Sequence, residues 1–249
     1  MILIDVHCHL DQKEYTDLDK VIENAKKAGV KKVVTSIANP KNKEKSFEIK
    51  KKYDVVELML GLHPTHVKEL TDKEIEEYLN FIRKNKSKII GIGEIGLDYH
   101  WIKDEKENER CKLVFEKLLR LAKELDLPVL IHSWDAEEDC INILEKYNLK
   151  VILHCFSGNM ELIFRVKDKY YFTVPASIVK SKHFRKLVKW VDLSHLLTET
   201  DSPYLSPYEG KLNEPAFVSE SVRKIAEEKK MTQEEVANNI WLNYQNIFS

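Results

Sequence analysis

The sequence lacks an excess of charge of either sign. Its 249 residues carry 40 Lys plus Arg against 41 Asp plus Glu, a formal net charge of −1. That balance excludes a strongly basic protein that coats nucleic acid non-specifically, while leaving room for a small basic groove. No CxxC pair occurs. The four cysteines, Cys8, Cys111, Cys140 and Cys155, lie far apart, which argues against a disulfide scaffold or a zinc ribbon and for reduced, buried thiols. No apolar run is long enough for a transmembrane helix, so no membrane partner is expected. Glutamine is scarce, with only Gln12, Gln233 and Gln245 beside abundant Lys, Glu and Ile, a bias that resembles thermophilic composition. Residues Met1-Ile2-Leu3-Ile4-Asp5 run straight into a His-rich motif, without a charged n-region, a long apolar h-region or a cleavage site, and a cytoplasmic protein is the expectation. No Gly/Ser-rich or low-complexity linker interrupts the chain, so one domain spanning 1–249 is expected.

The chain does have a repeated pattern. A short apolar run is followed, again and again, by a charged helical stretch. Ile2–Val6, Lys32–Ala38, Val55–Leu62, Lys88–Glu94, Pro128–His132, Lys150–His154, Tyr170–Val174 and His195–Glu199 read as eight short strands, most with the Val/Ile/Leu content of strands covered on both faces. Between them, Leu18–Ala28 is apolar at Leu18, Val21, Ile22 and Ala25 and stops at Gly29, a C-terminal cap. Lys106–Leu125 places Val114, Leu118, Leu121, Ala122 and Leu125 on one face. Thr71 with Glu74 and Thr232 with Glu235 have the capping-box spacing. Eight such units predict an α/β fold, a (β/α)8 TIM-type barrel, with an open doubly wound sheet as the alternative. The Lys-rich segment Lys41–Lys52 suits a solvated helix face better than a nucleic-acid track.

Polar residues gather at the ends of these runs. They are Asp5-Val6-His7-Cys8-His9, Gly61-Leu62-His63-Pro64, Gly93-Glu94-Ile95-Gly96-Leu97-Asp98, Leu130-Ile131-His132-Ser133, Ile152-Leu153-His154-Cys155 and Thr198-Glu199-Thr200-Asp201-Ser202. In a barrel, those ends share one rim, where active sites are built. Residues two apart on a strand face the same side, so His7 and His9 point together. Alone, each His is a hydrogen-bonded loop or core residue, and each carboxylate is a helix cap. Together, His7, His9, Glu94, His132, His154 and Asp201 form a metal-ligand set, because neutral imidazoles and carboxylates bind Zn²⁺ and related ions. The set exceeds the needs of one tetrahedral ion and suits two divalent ions roughly 3.5–4 Å apart, bridged by a carboxylate, for which Glu94 is the candidate. Zn, Mn and Mg are all chemically possible, and the histidine count leans towards Zn or Mn.

These same stretches, with Pro128-Val129-Leu130-Ile131-His132-Ser133, His154-Cys155-Phe156-Ser157-Gly158, Glu199-Thr200-Asp201-Ser202-Pro203-Tyr204-Leu205 and Asn213-Glu214-Pro215, resemble the TatD family of metal-dependent deoxyribonucleases, within the amidohydrolase-like barrels. The closing helices Ile225–Ala237 and Asn239–Phe248 resemble the C-terminal end of that family. The resemblance implies that His7 and His9 bind one metal with Asp201, that Glu94 bridges, and that His132 and His154 hold the second. It carries over His63 as a catalytic residue near the scissile phosphate, beside Asp201 and Glu94, while Asp98 and Tyr99 support the loop behind Glu94. Three places depart from the family pattern: Trp134 and Leu212 stand where Arg is frequent, and Val174-Pro175-Ala176-Ser177 stands where strand seven usually ends in small polar residues.

The expected function is a divalent-metal-dependent hydrolase cleaving DNA phosphodiester bonds with a metal-activated water. Asp201 would position that water and take its proton, and Trp101, Trp134 and Tyr204 lie beside the motifs where unpaired bases would stack. An alternative keeps the centre and changes the bond to an ester or amide, as in an aminoacyl-tRNA deacylase; the missing arginines favour it. A third, non-catalytic reading is a metal-binding protein with a degenerate site. No obligatory protein partner is legible.

Overall fold

The computed structural model describes residues 1–248. Among them, eight strands alternate with helices: β1 (Leu3–Cys8), α1 (Leu18–Ala28), β2 (Val30–Ile37), α2 (Lys43–Lys52), β3 (Val56–Leu60), α3 (Pro64–Val67), α4 (Asp72–Lys84), β4 (Gly91–Asp98), α5 (Glu105–Leu125), β5 (Val129–Trp134), α6 (Glu137–Leu144), β6 (Val151–Leu153), α7 (Met160–Val166), β7 (Tyr171–Pro175), α8 (Lys182–Trp190), β8 (Leu196–Glu199), α9 (Val218–Lys229) and α10 (Gln233–Phe248). The strands form one parallel sheet in the order β1 to β8. This is the TIM-type barrel, not the open sheet.

Strand sequence explains the closure. Leu58, Met59 and Leu60 of β3, and Val129, Leu130 and Ile131 of β5, are wholly buried, as strands clad by helices must be. The seam between β8 and β1 closes through polar groups. Asp201 N–H donates to His7 O (3.0 Å), and His9 N–H donates to Ser202 O (2.7 Å). Deeper in the seam, buried Asp5 accepts from the backbone and hydroxyl of Thr200 (2.9 and 2.6 Å), and Thr198 Oγ1 donates to Ile4 O (2.6 Å). The backbone bonds across this seam bring His7, His9 and Asp201 onto neighbouring positions of the rim.

The helices supply the outer layer. In α5, Val114, Phe115, Leu118, Leu119, Leu121, Ala122 and Leu125 are buried, and each large apolar side chain contributes roughly 1.5–3 kcal/mol by leaving water. Asp104 caps its start and Asp126, in the left-handed region at φ 52°, ends it. The Lys-rich α2 is a solvated face: Lys50 pairs with Glu57 (2.5 Å) and Lys52 with Asp19 (2.8 Å). Among the described residues no helix is long and apolar enough to cross a membrane.

Two expectations need correction. The run ending at Glu94 does not end there; β4 continues to Asp98, because a register irregularity between Ile92 and Ile95 absorbs Glu94 and lets pairing with β5 resume through Ile95–Ile131 to Asp98–Trp134. A helix over Ile225–Ala237 does not form as one piece. Lys230 adopts a left-handed φ of 55°, and Thr232 caps α10 through Glu235 N–H (3.2 Å) with Glu235 returning to Thr232 N–H (2.8 Å). Lys230 ends α9 and the capping box starts α10, as the Thr232–Glu235 spacing predicts.

Glycine lets β4 pass close to β5 beside the site. A Cβ at Gly96, whose φ is 145°, would sit 1.9 Å from His132 O. Gly96→Ala is therefore expected to destabilise the fold by about 3 kcal/mol, through overpacking and backbone strain together. Urea denaturation monitored by circular dichroism measures this; an unchanged midpoint would mean that β4 and β5 separate freely here.

Candidate metal centre

All six ligand candidates converge on one rim of the barrel, around the buried carboxylate of Glu94. Its two oxygens face different partners. Oε2 lies 3.7 Å from His7 Nε2 and 3.6 Å from His9 Nε2, and these two nitrogens are each 3.4 Å from Asp201 Oδ1. Oε1 lies 2.9 Å from His132 Nδ1, 3.6 Å from His154 Nε2 and 3.7 Å from His63 Nε2. The bulge in β4 aims Glu94 between these two sets.

The remaining ring nitrogens fix the tautomers. His9 Nδ1 donates to the Ser36 carbonyl (3.2 Å), His154 Nδ1 to Glu199 (2.8 Å) and His132 Nε2 to Asp98 (2.9 Å). Because these partners accept, the opposite nitrogens of His9, His154 and His132 face Glu94 as available lone pairs in the neutral rings. His7 Nδ1 pairs with Ser36 Oγ (3.1 Å). His63 is wired the other way: its Nδ1 accepts from Thr65 N–H (3.3 Å) and from Thr65 Oγ1 (2.7 Å). A neutral His63 therefore carries its proton on Nε2, the atom aimed at the centre, and offers a hydrogen-bond donor rather than a ligand atom.

Without a cation the same carboxylates favour the protonated rings, and a cation would bind by displacing those protons. Burial alone would raise Glu94, but the facing histidines, His63 and His132 foremost, outweigh it and hold the carboxyl well below the usual range. Asp201 follows the same logic, with burial overcome by His7 and His9. Burial would lower His132 and His154, yet the carboxylates Asp98 and Glu94, and Glu199, lift them to about 9. His63 goes down to about 3, through burial and then the neighbouring His132.

These residues fit divalent cations. His7 Nε2 is buried without a hydrogen-bond partner among the described residues, a cost that a cation removes. Donors at about 2.0–2.1 Å from a tetrahedral ion stand roughly 3.3–3.4 Å apart, close to the 3.4–3.7 Å separations among His7, His9, Glu94 and Asp201. Those separations are too long for good hydrogen bonds. Three groups, His7–His9–Asp201, His7–Glu94–His154 and His63–Asp98–His132, bring ligand atoms within 4.8 Å of one another.

The TatD related DNase family model matches residues 4–249. The chain belongs to the TatD family. It is 40% identical over 247 residues to the uncharacterized metal-dependent hydrolase MJ1582 of Methanocaldococcus jannaschii, covering 98% of this chain and 96% of that one. It is 36% identical over 248 residues to the human deoxyribonuclease TATDN3, covering 94% and 90%. Among solved structures, the TatD homologue YJJV of Escherichia coli superposes with a TM-score of 0.91 at 27% identity, covering 99% and 97%. This TatD protein is thus a metal-dependent hydrolase with the barrel of its relatives.

Three of its contacts were not foreseen from sequence. Asp98 does more than support the loop behind Glu94: it bonds directly to His132 as well as to the Trp101 N–H (2.7 Å). Glu199 orients His154 and also accepts the Cys155 N–H (3.1 Å). Ser36, inside β2, serves both His7 and His9. The Tyr99 hydroxyl donates to Asp139 of α6. Trp134 and Leu212 are exposed, at 42% and 48%.

Proposed function

We propose that this TatD protein hydrolyses DNA phosphodiester bonds at a two-cation centre held by His7, His9, Asp201, His132 and His154, with Glu94 bridging. When bound, the cations would neutralise phosphate oxygens and make water nucleophilic at neutral pH. Asp201 Oδ1 faces the histidines, and Oδ2 is left to orient the attacking water and accept its proton. His63, neutral and donating from Nε2, hydrogen-bonds a phosphoryl or leaving oxygen. Asp98, Glu199 and Ser36 hold the imidazoles in the required tautomers. The observation that carries the reading is the pairing of a carboxylate with donor sets on both oxygens and a histidine N–H beside them. The deoxyribonuclease name of TATDN3 supports the substrate.

The test is cleavage of single- and double-stranded oligonucleotides by protein stripped of metal and reloaded with Zn²⁺, Mn²⁺ or Mg²⁺. Metal-dependent strand scission is expected; its absence with every ion removes the phosphodiester reading. A second reading, ester or amide hydrolysis such as aminoacyl-tRNA deacylation, draws on the exposed Trp134 and Leu212 where cations for phosphate are frequent. Turnover of esters without DNA cleavage selects it.

A further inference from the structure

Beside the ligand set stands an aromatic corner that the hydrolytic chemistry does not use. The His100 ring stacks on Trp134 with centroids 3.9 Å apart and planes 5° from parallel. Trp101 stands at 89° to His100 and 87° to Trp134, with centroids 5.0 and 6.1 Å away. Both tryptophans face solvent, Trp101 at 67% and Trp134 at 42% exposure. The two adjacent indoles form a contiguous apolar patch, the kind of exposed surface that marks an interaction site.

We propose that Trp101 and Trp134 form a subsite for one unpaired nucleobase of the strand being cleaved, an inference that rests on the nucleic-acid reading of the centre. The argument is continuity with the ligand set. Trp134 follows His132 by two residues on β5, about 6.6–6.8 Å along a strand. Trp101 is tethered by its N–H to Asp98, whose other oxygen holds His132. The corner is therefore fixed to the same bonds that orient a ligand candidate.

Charge selects the base over the backbone. Asp135, 3.2 Å from His100 Nδ1, puts a carboxylate at the edge of the corner. A phosphate is repelled there, whereas the π face of a base stacks on indole irrespective of sequence. Paired bases are stacked inside a duplex and cannot enter, so the corner reads single-strandedness rather than sequence.

The experiment uses metal-loaded protein and a fluorescently labelled, phosphorothioate-linked oligothymidylate, compared with the same strand carrying an abasic residue at successive positions. Fluorescence anisotropy gives Kd, and the unmodified strand gives kcat. Trp101→Ala and Trp134→Ala are each expected to weaken binding of the base-bearing strand roughly 5- to 150-fold. Binding of the strand made abasic at the responsive position should stay within about twofold, and Trp134→Phe should restore binding, because a ring still stacks. Equal weakening at every abasic position, unchanged binding of the base-bearing strand, or no binding of that strand to the parent protein overturns the subsite. Base-dependent binding without cleavage overturns the phosphodiester reading alone and leaves the subsite standing.

Discussion

Glu94→Gln is expected to abolish metal-dependent hydrolysis, lowering kcat/KM by at least about 10³-fold, while the barrel stays folded. The reasoning starts from the two oxygens. Oε2 faces His7 and His9, and Oε1 faces His132, His154 and His63. An amide keeps the shape but replaces one acceptor oxygen with an NH₂ that repels a cation, so one of the two sets loses its shared ligand whichever way the amide turns. The negative charge that offsets two divalent ions is lost as well. Metal analysis should show fewer ions per chain than in the parent, and near-ultraviolet circular dichroism should be unchanged. Activity within tenfold of the parent, or an unaltered metal content, would show that Glu94 does not bridge.

Much of the fold was legible because a strand covered on both faces is mostly apolar, and Val, Ile and Leu dominate most of the eight runs. What periodicity missed was local. Glu94 interrupts the apolar run of β4, and a carboxylate there signals a strand end; the bulge that keeps β4 going is a property of its pairing with β5. At the C-terminus the Thr232–Glu235 spacing marked the start of α10, and the helix that the resemblance implied over Ile225–Ala237 ran past it.

At the site, legibility followed chain order. The six ligand candidates stand out because each is a polar residue at or near the end of an apolar strand. Ser36 has no such mark: it lies within β2, and its service to His7 and His9, 29 and 27 residues away, arises from strand pairing. Glu199 looks like an ordinary strand residue until β6 and β8 bring it to His154 Nδ1. Asp98 was visible but assigned to the loop alone, since its separation of 34 residues from His132 carries no spacing signal. Residues that orient ligands are thus placed by three-dimensional closure, while the ligands themselves mark strand ends.

Asp201→Asn is the second substitution with a large expected effect, a fall in kcat of about 10³-fold with little change in KM. Asp201 sits just past β8 with a left-handed φ of 56°, a conformation that Asp and Asn tolerate better than other side chains. Asparagine therefore preserves the backbone and the Asp201 N–H bond to His7 O that closes the barrel seam. It removes the proton-accepting carboxylate and the negative charge that faces His7 and His9. In the parent, that charge helps lift His9 to about 9 against burial. The metal-free variant should accordingly titrate His9 at lower pH, measurable by nuclear magnetic resonance of the imidazole protons. The stability sign follows. A histidine raised in the folded state contributes stability that is present in full below its unfolded value and is lost as pH rises through about 9. The metal-free parent should thus lead the variant in unfolding midpoint most at acidic pH, above the range where Asp201 itself protonates, and the two should converge towards pH 9. A constant difference from neutral to alkaline pH would mean that Asp201 acts on the fold through its backbone bond alone. Retained kcat would move the proton-accepting role to another group of the centre.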